Sequence, residues 1–241
     1  MNTKAALDPQ LFKRRHFGRR MTRPAAEDRQ AVFDNFYPTM QIAENLVQGG
    51  GTLRITDLFK APLPPAIWFE IGFGSGEHLA ELIRRDSQNG YIGAEPFITG
   101  MINLINDLHE KPPAQCHARL WMSDAIPLAA SLEDECIDGI YVLNPDPWPK
   151  KRHYKRRIIS QENLDIFARI LKPGGKLIMA TDMDDLAEWM VTQTSIHPAF
   201  AWTAECAQDW QNMPTDWIQT RYEKKGALKG RQQSYLIFKR L

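Results

Sequence analysis

Apolar and polar positions along the chain follow two alternating periods. From Ala66 onward, short apolar runs read as buried strands, and the stretches between them repeat apolar residues at the three- and four-residue spacing of a helix with one buried stripe. The runs predict strands near 66–71 ("AIWFEI"), 91–95, 116–121, 137–143, 176–181 and 233–239. Helical stripes are marked by Leu79, Leu82 and Ile83, by Met101, Leu104, Ile105 and Leu108, and by Leu164, Phe167, Ile170 and Leu171. "KPGGK" at 172–176 stops the third of these helices and turns the chain into the fifth strand. Strands and helices in this alternation build βαβ units around a parallel sheet, an α/β fold.

The first thirty residues lack such a period. They are polar and basic, and are expected to form a flexible N-terminal arm over 1–30, ahead of a single domain over 31–241. A chain of 241 residues, 43% of them apolar, can build one substantial core, and no repeat or linker divides it. No run approaches the ~18 apolar residues of a membrane span, and Asp8 and Lys13 interrupt anything like a signal peptide, so a cytoplasmic protein is expected. Cys116, Cys136 and Cys206 form no C-x-x-C pair and have no histidine at metal-ligand spacing. Buried, reduced thiols and no metal are therefore expected.

The formal charge of +1 conceals a segregation. Residues 13–23 ("KRRHFGRRMTR") and 150–157 ("KKRHYKRR") each hold six Lys/Arg and no acid, and 221–231 ("RYEKKGALKGR") holds five against Glu223. Together they carry +16, leaving 13 bases against 28 acids, or −15, elsewhere. One basic run is ordinarily a solvated face; three on an acidic body suit the grip of a polyanion.

"FEIGFGSGEHLAELI" reads as a strand, a G-x-G-x-G turn at Gly72, Gly74 and Gly76, and a helix. Glycines there let main-chain N–H groups approach a ligand. A dinucleotide fingerprint would require glycine where Glu77 stands, which makes an NAD oxidoreductase a minor reading; a P-loop lacks its G-K-[ST], and a nucleophile elbow around Ser75 lacks its flanking glycines. Glu70 precedes the turn, Glu95 ends the second strand and Asp124 follows the third. In an open α/β sheet these strand ends border the ligand crevice, where a carboxylate about 20 residues beyond the glycines can accept from ribose hydroxyls. Asp124 is placed to receive the adenine amine, and Glu70 to meet a cation. A nucleoside bearing an amino acid and a sulfonium fits this set better than a dinucleotide does: S-adenosylmethionine. The alternative at each acid is a helix cap.

"LNPDPWPKKRHYKRR" closes the fourth strand beside the switch point of such a sheet. Pro145 and Pro147 bracket Asp146 and hold its carboxylate with little freedom left to lose. The cations that follow are placed to grip phosphates, with a salt-dependent affinity, while the acid and the indole address a base. This stretch, with "EIGFGSGEHL", "GAEPF", "ATD" at 180–182 and "TRYEKKGALKG", resembles the bacterial tRNA (guanine-N7)-methyltransferase family from about residue 14 onward. The resemblance implies a Rossmann-like class I S-adenosylmethionine-dependent methyltransferase fold, a mostly parallel seven-stranded sheet with helices on both faces. It implies methylation of N7 of a guanosine in the tRNA variable loop, with S-adenosylhomocysteine as product, no metal, no membrane and no obligate protein partner.

By the same resemblance Asp146 is catalytic, while Glu70, Gly72, Gly74, Gly76, Glu95, Asp124 and Ala125 hold the methyl donor. Lys150, Asp182, Thr220, Arg221, Tyr222 and Glu223 meet the substrate, and Lys151, Arg152, His153, Tyr154, Lys155 and Arg156 touch RNA. Relatives commonly carry phenylalanine where Asn144 stands. Trp148 is read either as stacking on the base or as a core residue, and Asp182 either as orienting the guanine or as a helix cap. Two other functions are weighed: methylation of an exocyclic amine, since "NPDPW" resembles an N-P-P-aromatic turn, and a non-catalytic RNA-binding protein on the same fold.

Overall fold

The computed structural model describes residues 25–241. The basic segment 13–23 and most of the expected arm lie outside the described residues. The chain begins with α1 (Glu27–Met40), α2 (Glu44–Gln48) and α3 (Ile55–Leu58), and then alternates through β1 (Ile67–Ile71), α4 (Glu77–Arg85), β2 (Gly90–Ala94) and α5 (Ile98–Glu110). It continues through β3 (His117–Trp121), α6 (Ala125–Ser131), β4 (Ile137–Leu143), a 3₁₀ turn (Lys151–Arg156), α7 (Gln161–Ile170) and β5 (Leu171–Thr181). The last elements are α8 (Asp184–Ser195), β6 (Phe200–Trp202), α9 (Gln208–Gln211), α10 (Arg221–Ala227) and β7 (Ser234–Arg240).

The seven strands form one sheet in the order β3-β2-β1-β4-β5-β7-β6. β1 to β5 run parallel, and β7 is antiparallel to both β5 and β6. The order reverses between β1 and β4, so the loops after these two strands flank the crevice where such sheets bind ligands. The strands are apolar almost throughout because both faces are covered, and successive residues serve opposite cores. Along β2, Tyr91 packs with Leu79, Ile83, Met101 and Leu104 of α4 and α5, whereas Ile92 and Ala94 join Phe69, Leu128, Phe167 and Met190 on the other face. A fully buried leucine or isoleucine contributes about 1.5–3 kcal/mol, so these two stripes carry most of the sheet's cover.

Four expectations are corrected. Helix α7 ends at Ile170, and Leu171 pairs with Ile137 before the register jumps to Gly139 against Lys176; "KPGG" is therefore a swelling within the fifth strand, turned by Gly174 at φ +79°. The periodicity missed β6, because three residues are too few to show alternation. The boundary drawn after residue 30 falls inside α1, which is held to α5 by Arg29 Nη2 donating to Asn103 Oδ1 and Asn106 Nδ2 donating to Arg29 O, both at 3.0 Å, and by Phe33 and Tyr37 buried in one core cluster with Met101 and Leu108. Of the three thiols, all free, Cys136 is buried but Cys116 and Cys206 are exposed, each lying in a connection between elements. Among the described residues no helix is long and apolar enough to cross a membrane, and no cluster of His, Cys, Asp or Glu is arranged to hold a metal.

Candidate active site

β1 delivers its chain end into the glycine turn. Gly72, Gly74 and Gly76 take φ values of +70°, +57° and +81°, the left-handed region that costs glycine nothing. A Cβ on Gly72 or Gly74 would project into open space, whereas one on Gly76 would lie 2.6 Å from Leu104 Cβ. Two of the glycines thus leave backbone open to a ligand, and the third lets α4 lie against α5. The turn is fixed to β2: Gly72 N–H donates to Ala94 O and Gly74 N–H to Glu95 Oε2, both at 2.8 Å. Gly100, in the first turn of α5, completes the seat, since a Cβ there would sit 2.1 Å from Gly74 O and 3.0 Å from Glu95 Cγ. Gly100 carries no sequence signal for this role, because a glycine inside an apolar helical stripe shows no reason of its own.

The expected acids have distinct local partners. Glu95 is 3% exposed; Oε2 takes the Gly74 N–H and Oε1 the Phe97 N–H at 2.9 Å, leaving each oxygen room for one more donor. Burial pushes its carboxyl up to about 7 against those two bonds, and the charges of Asp146 and Glu70 push the same way, which places all three acids in one field. Glu70, also 3% exposed, already holds His78 Nδ1 at 2.9 Å. His78 in turn lies edge-on to Tyr141 at 4.8 Å. Asp124 caps α6, its Oδ1 accepting from Ile126 N–H at 2.9 Å, with Ala125 buried as the first helical residue; the capping alternative describes what this side chain does in the structure.

After β4 the backbone turns sharply. Asn144 and Trp148 stand at φ +47° and +42°, so two left-handed residues bracket Pro145-Asp146-Pro147. Asparagine tolerates that region, but for tryptophan it is strain of about 1–3 kcal/mol that neighbouring contacts must overcome. Asp146 itself is exposed. Trp148 is half-buried with Arg156 over its ring at 4.9 Å and His153 edge-on at 5.8 Å, so the core reading of this indole is not what the fold shows. In the 3₁₀ turn Lys151, Arg152 and Lys155 are exposed, as is Lys150 before it, while Tyr154 turns inward, its hydroxyl 3.3 Å from Asp185 and its ring against Trp189. Partial desolvation and the cations Arg156, Arg152 and Lys150 hold the His153 imidazole below its usual pKa.

The opposite wall comes from the C-terminal third. Thr220 caps α10, its Oγ1 accepting from Glu223 N–H at 3.2 Å. Arg221 N–H donates to Glu77 Oε2 at 2.8 Å and its guanidinium pairs with the same carboxylate, clamping α10 onto the helix that follows the glycine turn. Glu77, the residue that argued against a dinucleotide, is this clamp. Asp182 caps nothing; it pairs with Arg231 Nη1 at 2.8 Å and accepts from Tyr222 OH at 3.3 Å. Glu223, 4% exposed, accepts from Trp217 Nε1 at 3.0 Å, and burial raises its pKa. Gln233 Nε2 donates to Asn144 Oδ1 at 2.9 Å, joining this wall to the start of the proline turn.

Between these parts lies a cavity of about 480 Å³. Of the expected residues it brings together Glu70, Gly72, Gly74, Thr220, Arg221 and Tyr222, and adds His78, which was not singled out, and Asn144, to which no role was given. Gly76, Glu95, Asp124, Ala125, Asp146, Lys150, Asp182 and Glu223 are not in its lining. Glu95 and Gly76 support the turn from behind, while Asp182 and Glu223 support α10.

A family model described as "Putative methyltransferase" matches residues 65–236. The chain is 41% identical over 224 residues to a tRNA (guanine-N(7)-)-methyltransferase of Rhizobium meliloti, covering 93% of this chain and 94% of the relative. It is 38% identical over 226 residues to the enzyme of the same name from Rhodospirillum rubrum, covering 94% and 88%. Among solved structures, a 16S rRNA methyltransferase, KamB, superposes with a TM-score of 0.50 at 13% identity over 73% of this chain and 87% of that one, a likeness of fold alone. With its sheet order, its glycine turn and these relatives across nearly its whole length, the chain belongs to the tRNA (guanine-N7)-methyltransferase family.

Proposed function

We propose that the protein transfers the methyl group of S-adenosylmethionine to N7 of a guanosine in the variable loop of tRNA, giving 7-methylguanosine and S-adenosylhomocysteine, and that it does so in the cytoplasm. The observation that carries this reading is the cavity itself: glycine turn, buried Glu70, the end of β4 and α10 around one space, with exposed Lys150, Lys151, Arg152 and Lys155 on the segment that leaves it. The residues fit the donor. Two glycines leave open space for a ligand's atoms, and three acids in one field suit a cation. When bound, S-adenosylmethionine supplies an electrophilic methyl group on sulfur.

The protein's own task is placement. Guanine N7 has a free lone pair, so no base is needed; the N–C bond forms as the C–S bond breaks, the released pair stays on sulfur, and no proton moves. The positive charge passes to the purine. Asp146, held out by its prolines, accepts from guanine N1–H and the exocyclic amine, and its charge favours the cationic product. Asp182 and Glu223 orient the base through the α10 wall, and the exposed cations hold phosphates, so affinity falls with added salt.

Incubating the protein with methyl-labelled donor and bulk tRNA, then treating the RNA with borohydride and aniline, is expected to cut the chain at the labelled nucleotide, the signature of 7-methylguanosine. Label without scission would assign the methyl to another atom, and no label would remove the reading altogether.

Glu95 gives a second test. Between its ordinary pKa and about 7 the folded chain keeps a proton that the unfolded chain has released, so this group's stabilising contribution is full in acid and lost as pH rises through about 7. A cationic donor reverses that preference and expels the proton. Donor affinity is therefore expected to rise about tenfold from roughly pH 6 to pH 8, with proton release at the lower pH, measured by titration calorimetry in buffers of different ionisation heat. Glu95→Gln should flatten the profile; a flat wild-type profile would place the donor's charge away from this acid.

A further inference from the structure

Arg157 ends the basic run, yet it behaves unlike its neighbours. It is 2% exposed and is the largest of the fully buried side chains. Its Nε donates to Pro147 O at 3.0 Å, its Nη2 pairs with Asp185, and its guanidinium lies 3.8 Å from the Tyr154 ring centre and 5.1 Å from that of Trp189. Nη1 makes no hydrogen bond, so the two rings are what that edge of the cation gains in exchange for water. Trp189 is itself pinned, its Nε1 donating to Ile159 O at 2.7 Å, and Tyr154 OH reaches the same Asp185. The guanidinium is thus held from several sides and spends one directed bond on a single main-chain carbonyl.

That carbonyl belongs to the residue directly after Asp146, and the residue after it is Trp148, at φ +42°. Two prolines restrict the turn but give it no N–H donors of their own, so its main-chain carbonyls need a donor from elsewhere to hold its tilt. Arg157 supplies that from outside, and the same few residues that lead to it carry the exposed Lys151, Arg152 and Lys155.

We propose that Arg157 is a positioning residue for methyl transfer: by holding the Pro147 carbonyl it sets the tilt of the turn that carries Asp146, and it ties that tilt to the segment that grips the RNA. This deepens the function proposed above and rests on it. Lysine cannot replace the guanidinium, because a single ammonium cannot donate to the carbonyl, pair with Asp185 and lie flat between two rings at once. A misplacement of about 1 Å costs up to about 10²-fold in rate without a matching loss of binding.

The test compares Arg157→Lys with wild type in steady-state methylation of tRNA, together with Asp185→Asn. Asp185 has a side chain 58% exposed, so its replacement loosens the arginine without threatening the fold. Arg157→Lys is expected to lower kcat about 10- to 100-fold, and Asp185→Asn about three- to tenfold, with KM for tRNA and donor affinity within about threefold of wild type. In parallel, fluorine NMR of protein carrying 5-fluorotryptophan, with the Trp148 signal assigned by Trp148→Phe, should show that signal shifted or broadened in both variants while the other indoles away from Arg157 keep theirs. Unchanged kcat with an unchanged Trp148 signal overturns the proposal, as does a rise in KM alone. If wild type makes no 7-methylguanosine the functional reading fails, and the fluorine signal still decides whether Arg157 holds the turn.

Discussion

Replacing Asp146 by asparagine is expected to lower single-turnover methyl transfer to tRNA about 10²- to 10³-fold while leaving donor affinity within about threefold. The side chain is exposed, so the isosteric change removes no packing and leaves no buried group unpaired. What changes is the pattern of donors and acceptors. A carboxylate presents two acceptors to the adjacent N1–H and amino group of guanine, whereas an amide presents one acceptor and sets its own N–H₂ against a donor. The charge that favours the cationic product is lost as well. Rapid-quench measurement with saturating donor separates this effect from binding. Near-normal turnover of the variant would mean that the turn positions something other than the base, and would remove Asp146 from the reaction.

Gly100→Ala should act on the opposite half of the site. Its Cβ would lie 2.1 Å from Gly74 O, a backbone atom that no rotamer change can move aside. Either α5 retreats or the glycine turn does; retreat of the turn breaks the Gly74 N–H bond to Glu95. Overpacking of this kind costs about 1–3 kcal/mol of stability, and a shift of about 1 Å in a preorganised seat costs about 10²-fold. Calorimetry is therefore expected to show donor affinity reduced about 10²-fold in a protein that still melts cooperatively. Affinity within about threefold of wild type would show that the donor does not lean on this turn.

How much of this was legible in the sequence depends on whether the signal is local. The strands of the parallel sheet showed because each is a short run buried on both faces, and the glycine turn showed because its spacing is local; of the three strand-end acids, Glu70 lines the cavity while Glu95 and Asp124 do not. Contacts between distant segments left no such trace. Nothing in the sequence marks Gly100, whose need for no side chain comes from Gly74 beside it. Nothing marks His78 either, although it occupies one oxygen of Glu70. Glu77 and Arg221, 144 residues apart, gave no hint of being one clamp. Arg157 was indistinguishable from five other bases in its run, since charge alone does not say which one turns inward. Asp124 and Asp182 were each offered a capping role as the alternative; the first does cap, and the second pairs with an arginine instead. Local rules can propose a cap but cannot see a competing partner brought in by the fold.

The position of β7 has a further consequence during synthesis. Among the described residues β7 comes last in chain order, yet it lies inside the sheet between β5 and β6, and β6 ladders with β7, so Phe200–Trp202 must wait for residues 234–240 before pairing. Bringing such late segments inward delays the closing steps of folding. A nascent chain stalled before Ser234 can assemble the five parallel strands, but it lacks Gln233's hold on Asn144 until that residue has left the ribosome. A product truncated there carries β5 as an open edge, its outward N–H and C=O groups without the ladder that β7 supplies, and such an edge invites pairing with another chain.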